Sequence, residues 1–338
     1  MVKQDKKEKV LKPMRVDEIN ILTRRARLLP PSGDQTYVLR EGPDPWVIFH
    51  KGYYYFCVVD DLDTKRKILV SKFKDLKQLA TAPLVEVWPR DEKNIPDYIE
   101  VWAPELQIID GKPYIYVALY MGTNKTNTNR KERIHCLEGL TDNPQGEYKY
   151  KNQIQIQTDR WAIDGSVLEM PITKERYFVW SGWDGEIDHS QNIYIAKMSN
   201  PRTITSDRVC ISTPEYKWEK IGYPYINEGP QPLIRKNKVF IIYSASGSWT
   251  DDYCLGQLTY VGGDPLSPSA WHKEPKPVFS KTDTIFGPGH CCFVHDNLGK
   301  DWIIYHAARS SGAGWARQIR AKQFTWHKNG FPNFGLPM

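Results

Sequence analysis

The stretch Tyr53-Tyr54-Tyr55-Phe56 decides how this chain is read. An apolar segment at residues 46–49 precedes it, and Lys51-Gly52 lies between the two. Two β-rich runs joined by a short polar loop read as a hairpin. The second half of that phrase recurs at Tyr114-Ile115-Tyr116-Val117, Tyr177-Phe178-Val179-Trp180, Val239-Phe240-Ile241-Ile242 and Trp302-Ile303-Ile304-Tyr305. The steps between first residues are 61, 63, 62 and 63. The first half recurs at 106–109, 167–170, 232–234 and 292–294. Polar turns at Asp110-Gly111-Lys112, Thr173-Lys174-Glu175, Lys236-Asn237-Lys238 and residues 296–300 join the halves. Five occurrences at nearly constant spacing mark an internal repeat.

After each hairpin comes a more polar stretch with further short strands, such as residues 67–72 and 193–197. A unit of about 62 residues has room for a four-stranded sheet and generous loops. Long helical periodicity is nearly absent. Its best candidate, residues 17–29 with Asp17 as N-cap, lies ahead of the first repeat. The expected fold is therefore all-β, a five-bladed β-propeller forming a single domain over residues 41–338, with residues 1–40 as a lead segment. A solenoid is the competing arrangement, but five units without helices fit radial closure better. Length alone, 338 residues at roughly 150 per domain, would suggest two domains; the repeat divides it better.

Composition removes several classes. The 46 Lys and Arg against 40 Asp and Glu leave a formal +6, with both signs scattered. The densest basic pieces, Lys6-Lys7 with Lys9 and Arg24-Arg25 with Arg27, make no stripe, so no nucleic-acid partner is expected. No run approaches the roughly 20 apolar residues of a membrane helix, and no membrane partner is expected. No dinucleotide fingerprint, phosphate loop or HExxH motif appears, so no organic cofactor is required. The six cysteines form no CxxC pair. In His290-Cys291-Cys292-Phe293-Val294-His295, strand alternation places 290 and 292 on one face and 291 and 295 on the other, which opposes a tetrahedral zinc site. Residues 1–9 are charged and lack the apolar core of a signal peptide. The expectation as written is cytoplasmic, or secreted or periplasmic if a signal was removed. Rings are abundant, with 12 Trp, 19 Tyr and 11 Phe. They suit both β-sheet cores and sites that stack on sugars.

Ahead of each strand core sits a residue foreign to an apolar interior. Asp44 stands in Gly42-Pro43-Asp44-Pro45-Trp46, and Glu105 in Trp102-Ala103-Pro104-Glu105. Asp164 stands in Trp161-Ala162-Ile163-Asp164-Gly165, Glu228 in Ile226-Asn227-Glu228-Gly229-Pro230, and His290 in Gly287-Pro288-Gly289-His290. Innermost propeller strands surround a channel, so equivalent positions converge on one axis. Four carboxylates and a histidine would meet at one mouth. Carboxylates held together are pushed to different pKa values. Glycoside hydrolysis needs that division: one carboxylic acid protonates the leaving oxygen while a carboxylate activates water, the pair being ~6.5–9.5 Å apart in inverting enzymes. Structural ligation of water or metal is the competing use of such positions.

These phrases, together with Tyr305-His306-Ala307, Arg317, Arg320, Gly330-Phe331-Pro332 and Phe334-Gly335, resemble glycoside hydrolase family 43 over residues 40–338. The resemblance implies a five-bladed propeller that removes arabinose or xylose by inversion. It implies Asp44 as general base, Glu228 as general acid, and Asp164 as the group that keeps Glu228 protonated and oriented. By the same resemblance His290 is the axial histidine, in contact with a channel water or a Ca²⁺ ion, so a Ca²⁺ on the axis is compatible with the chain. Arg320, with Arg317 as second choice, would pair with a catalytic carboxylate or a sugar hydroxyl. Glu105 is counted among the residues around the sugar; Trp102 would line its pocket, with Trp183 and Phe286 behind it. Two features depart from the pattern: about 24 residues separate the lead-in at 14–20 from Asp44, and Cys291-Cys292 follow His290 where a polar residue is common.

The motifs look closest to exo-acting α-L-arabinofuranosidases, which cut terminal arabinofuranose from arabinan or arabino-oligosaccharides. The alternatives are a β-xylosidase or an endo-arabinanase of the same family, and a non-catalytic sugar-binding propeller. The partner in every case is an arabinose- or xylose-containing oligosaccharide or polysaccharide.

Overall fold

Each of the five expected hairpins forms. The computed structural model describes residues 37–59, 67–89, 95, 97–121, 132–156 and 158–338. The segment 17–29, expected as a helix, lies outside the described residues. Strand β1 (Tyr37–Glu41) comes first. The first repeat then gives β2 (Trp46–His50), β3 (Tyr53–Val59), β4 (Ile68–Phe73) and β5 (Leu84–Glu86). The second gives β6 (Tyr98–Ile109), β7 (Lys112–Met121), β8 (Glu132–Gly139) and β9 (Tyr148–Gln153). In the third are β10 (Ala162–Glu169), β11 (Arg176–Trp183), β12 (Ser190–Asn200), β13 (Thr203–Ile204) and β14 (Val209–Ser212). The fourth holds β15 (Tyr225–Arg235), β16 (Lys238–Ala245), β17 (Cys254–Tyr260) and β18 (Trp271–Lys273). The fifth holds β19 (Phe286–His295), β20 (Asp301–Ala308), β21 (Arg317–Trp326) and β22 (Pro332–Asn333). Among the described residues the helical content is three single 3₁₀ turns. The protein is all-β.

Within each repeat the strands pair antiparallel in sequence order, except that in the third both β13 and β14 pair with β12. The third and fourth repeats join into one nine-stranded sheet through a short parallel contact of β12 with β15, limited to Ser190 with Tyr225 and Gln191 with Ile226. The turns follow their sequences. Lys51-Gly52 and Asp110-Gly111 hold positive φ at both residues, as a two-residue hairpin turn that matches strand twist requires.

The second strand of each repeat is apolar on both faces because both faces are covered. Side chains alternate along a strand, and here the alternation divides neighbours. Tyr114 and Tyr116 pack with Phe178, Trp180 and Tyr194 of the third repeat, while Ile115, Val117 and Leu119 pack with Tyr55 and Phe56 of the first. Tyr177 and Val179 meet Val239, Ile241 and Tyr243 of the fourth. Phe240 and Ile242 meet Ile303 and Tyr305 of the fifth. Ile304 and Ile319 return to the cluster of the first repeat. Fully burying one such side chain is worth about 1.5–3 kcal/mol, so the apolar layers between sheets hold the arrangement together.

The leading strands of the five repeats touch in cyclic order: β2 with β6, β6 with β10, β10 with β15, β15 with β19, and β19 with β2. The last sheet is completed from the other end of the chain, β1 pairing with β21. Residues 37–40, expected within the lead segment, thus belong with residue 41 to the sheet of the fifth repeat.

Candidate active site

A shared backbone irregularity builds the site. Asp44, just before the first leading strand, and Ala103, Asp164, Gly229 and His290, within the other four, have φ of 46°, 40°, 55°, 56° and 44°. For L-residues this left-handed region costs roughly 1–2 kcal/mol, and Asp and His tolerate it better than most. In the last four repeats the ladder slips at this point, between Trp102 and Glu105, Ile163 and Ser166, Glu228 and Gln231, and Gly289 and Cys292. A β-bulge re-aims the side chains beside it. Gly229 is the one glycine of the five; a Cβ there would stand 3.4 Å from His290 Nδ1.

The bulge corrects the expected equivalence of the five polar residues. Asp44, Asp164 and His290 occupy the left-handed position itself. Glu228 comes one residue earlier. Glu105 comes two later, in register with Trp46, Ser166, Gln231 and Cys292, each the first paired residue after the irregularity. Asp44 alone precedes its strand; the other four lie within theirs. After the bulge the expected alternation holds: Cys291 packs among the residues between the fourth and fifth repeats, whereas Cys292 packs towards the first.

Asp44 is surrounded by donors and cations. His290 Nδ1, His306 Nδ1 and Arg317 Nη1 lie 3.4, 3.4 and 3.5 Å from its Oδ1. Burial works to raise this carboxyl, but His290, His306 and Arg317 together hold it well below the usual carboxylate range. The Asp44 backbone N–H donates to His306 Nδ1 at 3.1 Å, which leaves the ring proton on Nε2. Burial and Arg317 push the His306 pKa down to about 3, so the ring is neutral.

Glu228 has the opposite environment. It is buried, and burial with the negative charge of Asp44 pushes its pKa up to about 7, against the Tyr253 hydroxyl, which donates to Oε1 at 2.7 Å, and against Arg317. The Tyr253 ring stacks on His306 at 5.5 Å between centroids. Asp164 Oδ2 accepts the N–H of Gly229 at 2.9 Å and so tethers the peptide that follows Glu228. Burial and the neighbouring charges of Glu228 and Asp44 raise the Asp164 pKa well above its ordinary value. One pocket therefore holds a carboxylate and two carboxyls biased towards their protonated forms.

Among the other expected residues, Trp102 is half-buried and its Nε1 donates to Glu100 Oε2 at 2.9 Å. Trp183 is buried, stacked on Trp161 at 5.1 Å. Phe286 is half-buried at the start of β19. The guanidinium beside Asp44 is Arg317, the second choice, rather than Arg320. Arg320 donates instead to Met338 O at 3.1 Å and Gln318 Oε1 at 3.2 Å. Three residues apart on β21, the two arginines point to opposite faces. Glu105 is buried, and its carboxylate oxygens accept from Gln107 Nε2 and Gln231 Nε2, each at 3.5 Å. Tyr253 carried no signal in the sequence. His306 did: it is a histidine between the apolar run Trp302-Ile303-Ile304-Tyr305 and Ala307-Ala308.

Glu105, Asp164 and His290 are buried, and one ligand atom from each lies within 4.8 Å of the others. Burial, with the charge of Asp164, raises the Glu105 pKa well above normal. Two buried carboxyls so placed are neutralised either by protons or by a cation. Ca²⁺ takes 6–8 oxygen ligands, so of this set the two carboxylates offer direct ligands and the His290 nitrogen would meet such an ion through a water.

The model of the family described as glycosyl hydrolases family 43 matches residues 33–332. An extracellular exo-α-(1→5)-L-arabinofuranosidase of Streptomyces avermitilis (strain ATCC 31267) is 33% identical over 309 residues, covering 87% of this chain and 62% of that protein. The α-L-arabinofuranosidase 43 of Humicola insolens is 32% identical, with 87% and 62% covered. The chain thus spans about three-fifths of the length of these two curated relatives. The crystal structure of an α-L-arabinofuranosidase from Lactobacillus brevis superposes with a TM-score of 0.77 at 33% identity, covering 88% of this chain and 94% of that one.

Proposed function

Because the chain belongs to glycosyl hydrolase family 43, we propose that it is a glycosidase that releases terminal α-L-arabinofuranose from arabinan or arabino-oligosaccharides with inversion, on a five-bladed β-propeller. The cyclic order of leading strands and the apolar layers between successive repeats support five blades around one axis. The names of the relatives support arabinofuranose as the sugar and an exo mode of attack. The description of the Streptomyces avermitilis enzyme as extracellular is consistent with secretion.

The observation that carries the reading is the contrast in surroundings: Asp44 lies beside His290, His306 and Arg317, which favour its ionised form, whereas Glu228 is buried and near the charge of Asp44, which favours its neutral form. In a single displacement, water attacks the anomeric carbon and the C–O bond to the leaving sugar breaks. Asp44 accepts the proton of the attacking water. Glu228 gives its proton to the departing oxygen. Afterwards Asp44 is protonated and Glu228 ionised, and exchange with solvent restores both. Asp164 positions the acid through the Gly229 peptide. Arg317 keeps the base ionised, and the neutral His306 orients it by accepting the Asp44 backbone N–H. No organic cofactor enters. A Ca²⁺ held by Glu105 and Asp164, and by His290 through a water, would supply positive charge on the axis.

Hydrolysis of an aryl α-L-arabinofuranoside against an aryl β-xyloside tests the sugar, and preference for the xyloside would overturn it. Proton NMR of the first-formed anomer tests inversion, and a retained configuration would overturn the single displacement. Glu228→Gln is expected to lose roughly 10²–10⁴-fold in kcat on unactivated glycosides while still binding them; unchanged turnover would remove Glu228 from the acid's role.

A further inference from the structure

Trp315 is 67% exposed, in the loop of residues 309–316 between β20 and β21. A single exposed ring would carry no meaning. This one is built in. Its Nε1 donates to Ser248 Oγ at 3.3 Å, and its ring meets Trp249 edge-on, with centroids 6.1 Å apart at 70°. Trp249 is itself wedged: a Cβ on Gly247 would come within 2.8 Å of its ring. The Gly312 N–H donates to Asp251 Oδ1 at 2.8 Å, fastening loop 309–316 to loop 246–253.

Loop 246–253 also reaches both carboxyls of the proposed reaction. Ser248 O accepts Arg317 Nη2 at 2.7 Å, and the other end of that guanidinium lies beside Asp44. Tyr253, the last residue of the loop, holds Glu228. The aromatic pair is therefore carried on the loop that contacts the partners of both groups. In an exo mode of attack every sugar beyond the one released belongs to the leaving group, so a ring beside the site meets that part of the substrate.

We propose that Trp315, buttressed by Trp249, is a binding platform for the leaving-group sugar, the arabinofuranose unit next to the one released. This rests on the glycosidase reading above and deepens it. The C–H surface of a neutral pentose is apolar enough to cover an indole face, and the rigid two-ring support lets Trp315 hold it without first being ordered. The substrate class this favours is an oligosaccharide with a sugar, rather than a small alcohol, as leaving group.

The test compares arabinotriose with methyl α-L-arabinofuranoside, whose leaving group is methanol. In Trp315→Ala the ratio of kcat/KM for the trisaccharide to that for the methyl glycoside should fall about tenfold, equivalent to about 1.4 kcal/mol, chiefly through KM. Trp315→Phe, which keeps a ring, should recover most of it. A ratio that stays constant, or no recovery with Phe, overturns the platform. Failure of the unaltered protein on both substrates overturns the glycosidase reading on which it rests.

Discussion

At Glu228, burial and hydrogen bonding act against each other. Burial favours the neutral acid; the Tyr253 hydroxyl, a neutral donor to Oε1, favours the ionised form. The reaction proposed here needs Glu228 protonated and Asp44 ionised, so kcat/KM should fall on the basic side near pH 7, while the acidic limb lies well below the ordinary carboxylate range. In Tyr253→Phe the ionised form loses its donor, the Glu228 pKa rises, and the basic limb should move to higher pH. A pH–rate profile checks this, and a limb that stays or moves down would remove Tyr253 from control of the acid. At this scale the carboxylates were legible because charged residues interrupt apolar strands. Their partners were not. Tyr253 reads as one more aromatic residue, and its contacts with Glu228 and His306 join side chains 25 and 53 positions away.

The leading strand is the element that turns a repeat into a site. A left-handed residue in it or just before it carries a polar side chain in three repeats, and its bulge admits neighbours only where side chains are small. Gly289 stands one residue before the bulge in β19, and a Cβ there would lie 2.2 Å from Tyr253 Cε1. Gly289→Ala should therefore displace the Tyr253 ring from Glu228. The expected result is a loss of stability of about 1–3 kcal/mol from overpacking, together with a fall in kcat. Thermal melts and steady-state rates check both, and a variant with unchanged values would contradict the packing. The offset among Asp44, Glu105 and Glu228 was hidden at this scale. A one-residue slip moves a side chain to the other face, and only the pairing partners show where the slip occurs.

For the whole molecule, the decisive contact is the one between distant parts of the chain. β1 pairs with β21, Leu39 is buried among residues of the first and fifth repeats, and Glu41 accepts from Arg309 and Gln318. Removing residues 1–41 should leave β21 with an unpaired edge and cost at least about 2 kcal/mol, from the lost apolar burial and ladder hydrogen bonds. Urea unfolding checks this, and an unchanged midpoint would count against closure by β1. The amino-acid sequence by itself determined the all-β class, the five hairpins and the residues that interrupt them, because these depend on local alternation and on spacing repeated along one chain. Which arginine faces Asp44, which tyrosine holds Glu228, which side chains donate to Glu105 and which strand completes the fifth sheet were decided only by the tertiary structure. Those outcomes depend on register and on contacts between repeats, where a shift of one residue reverses the direction of a side chain.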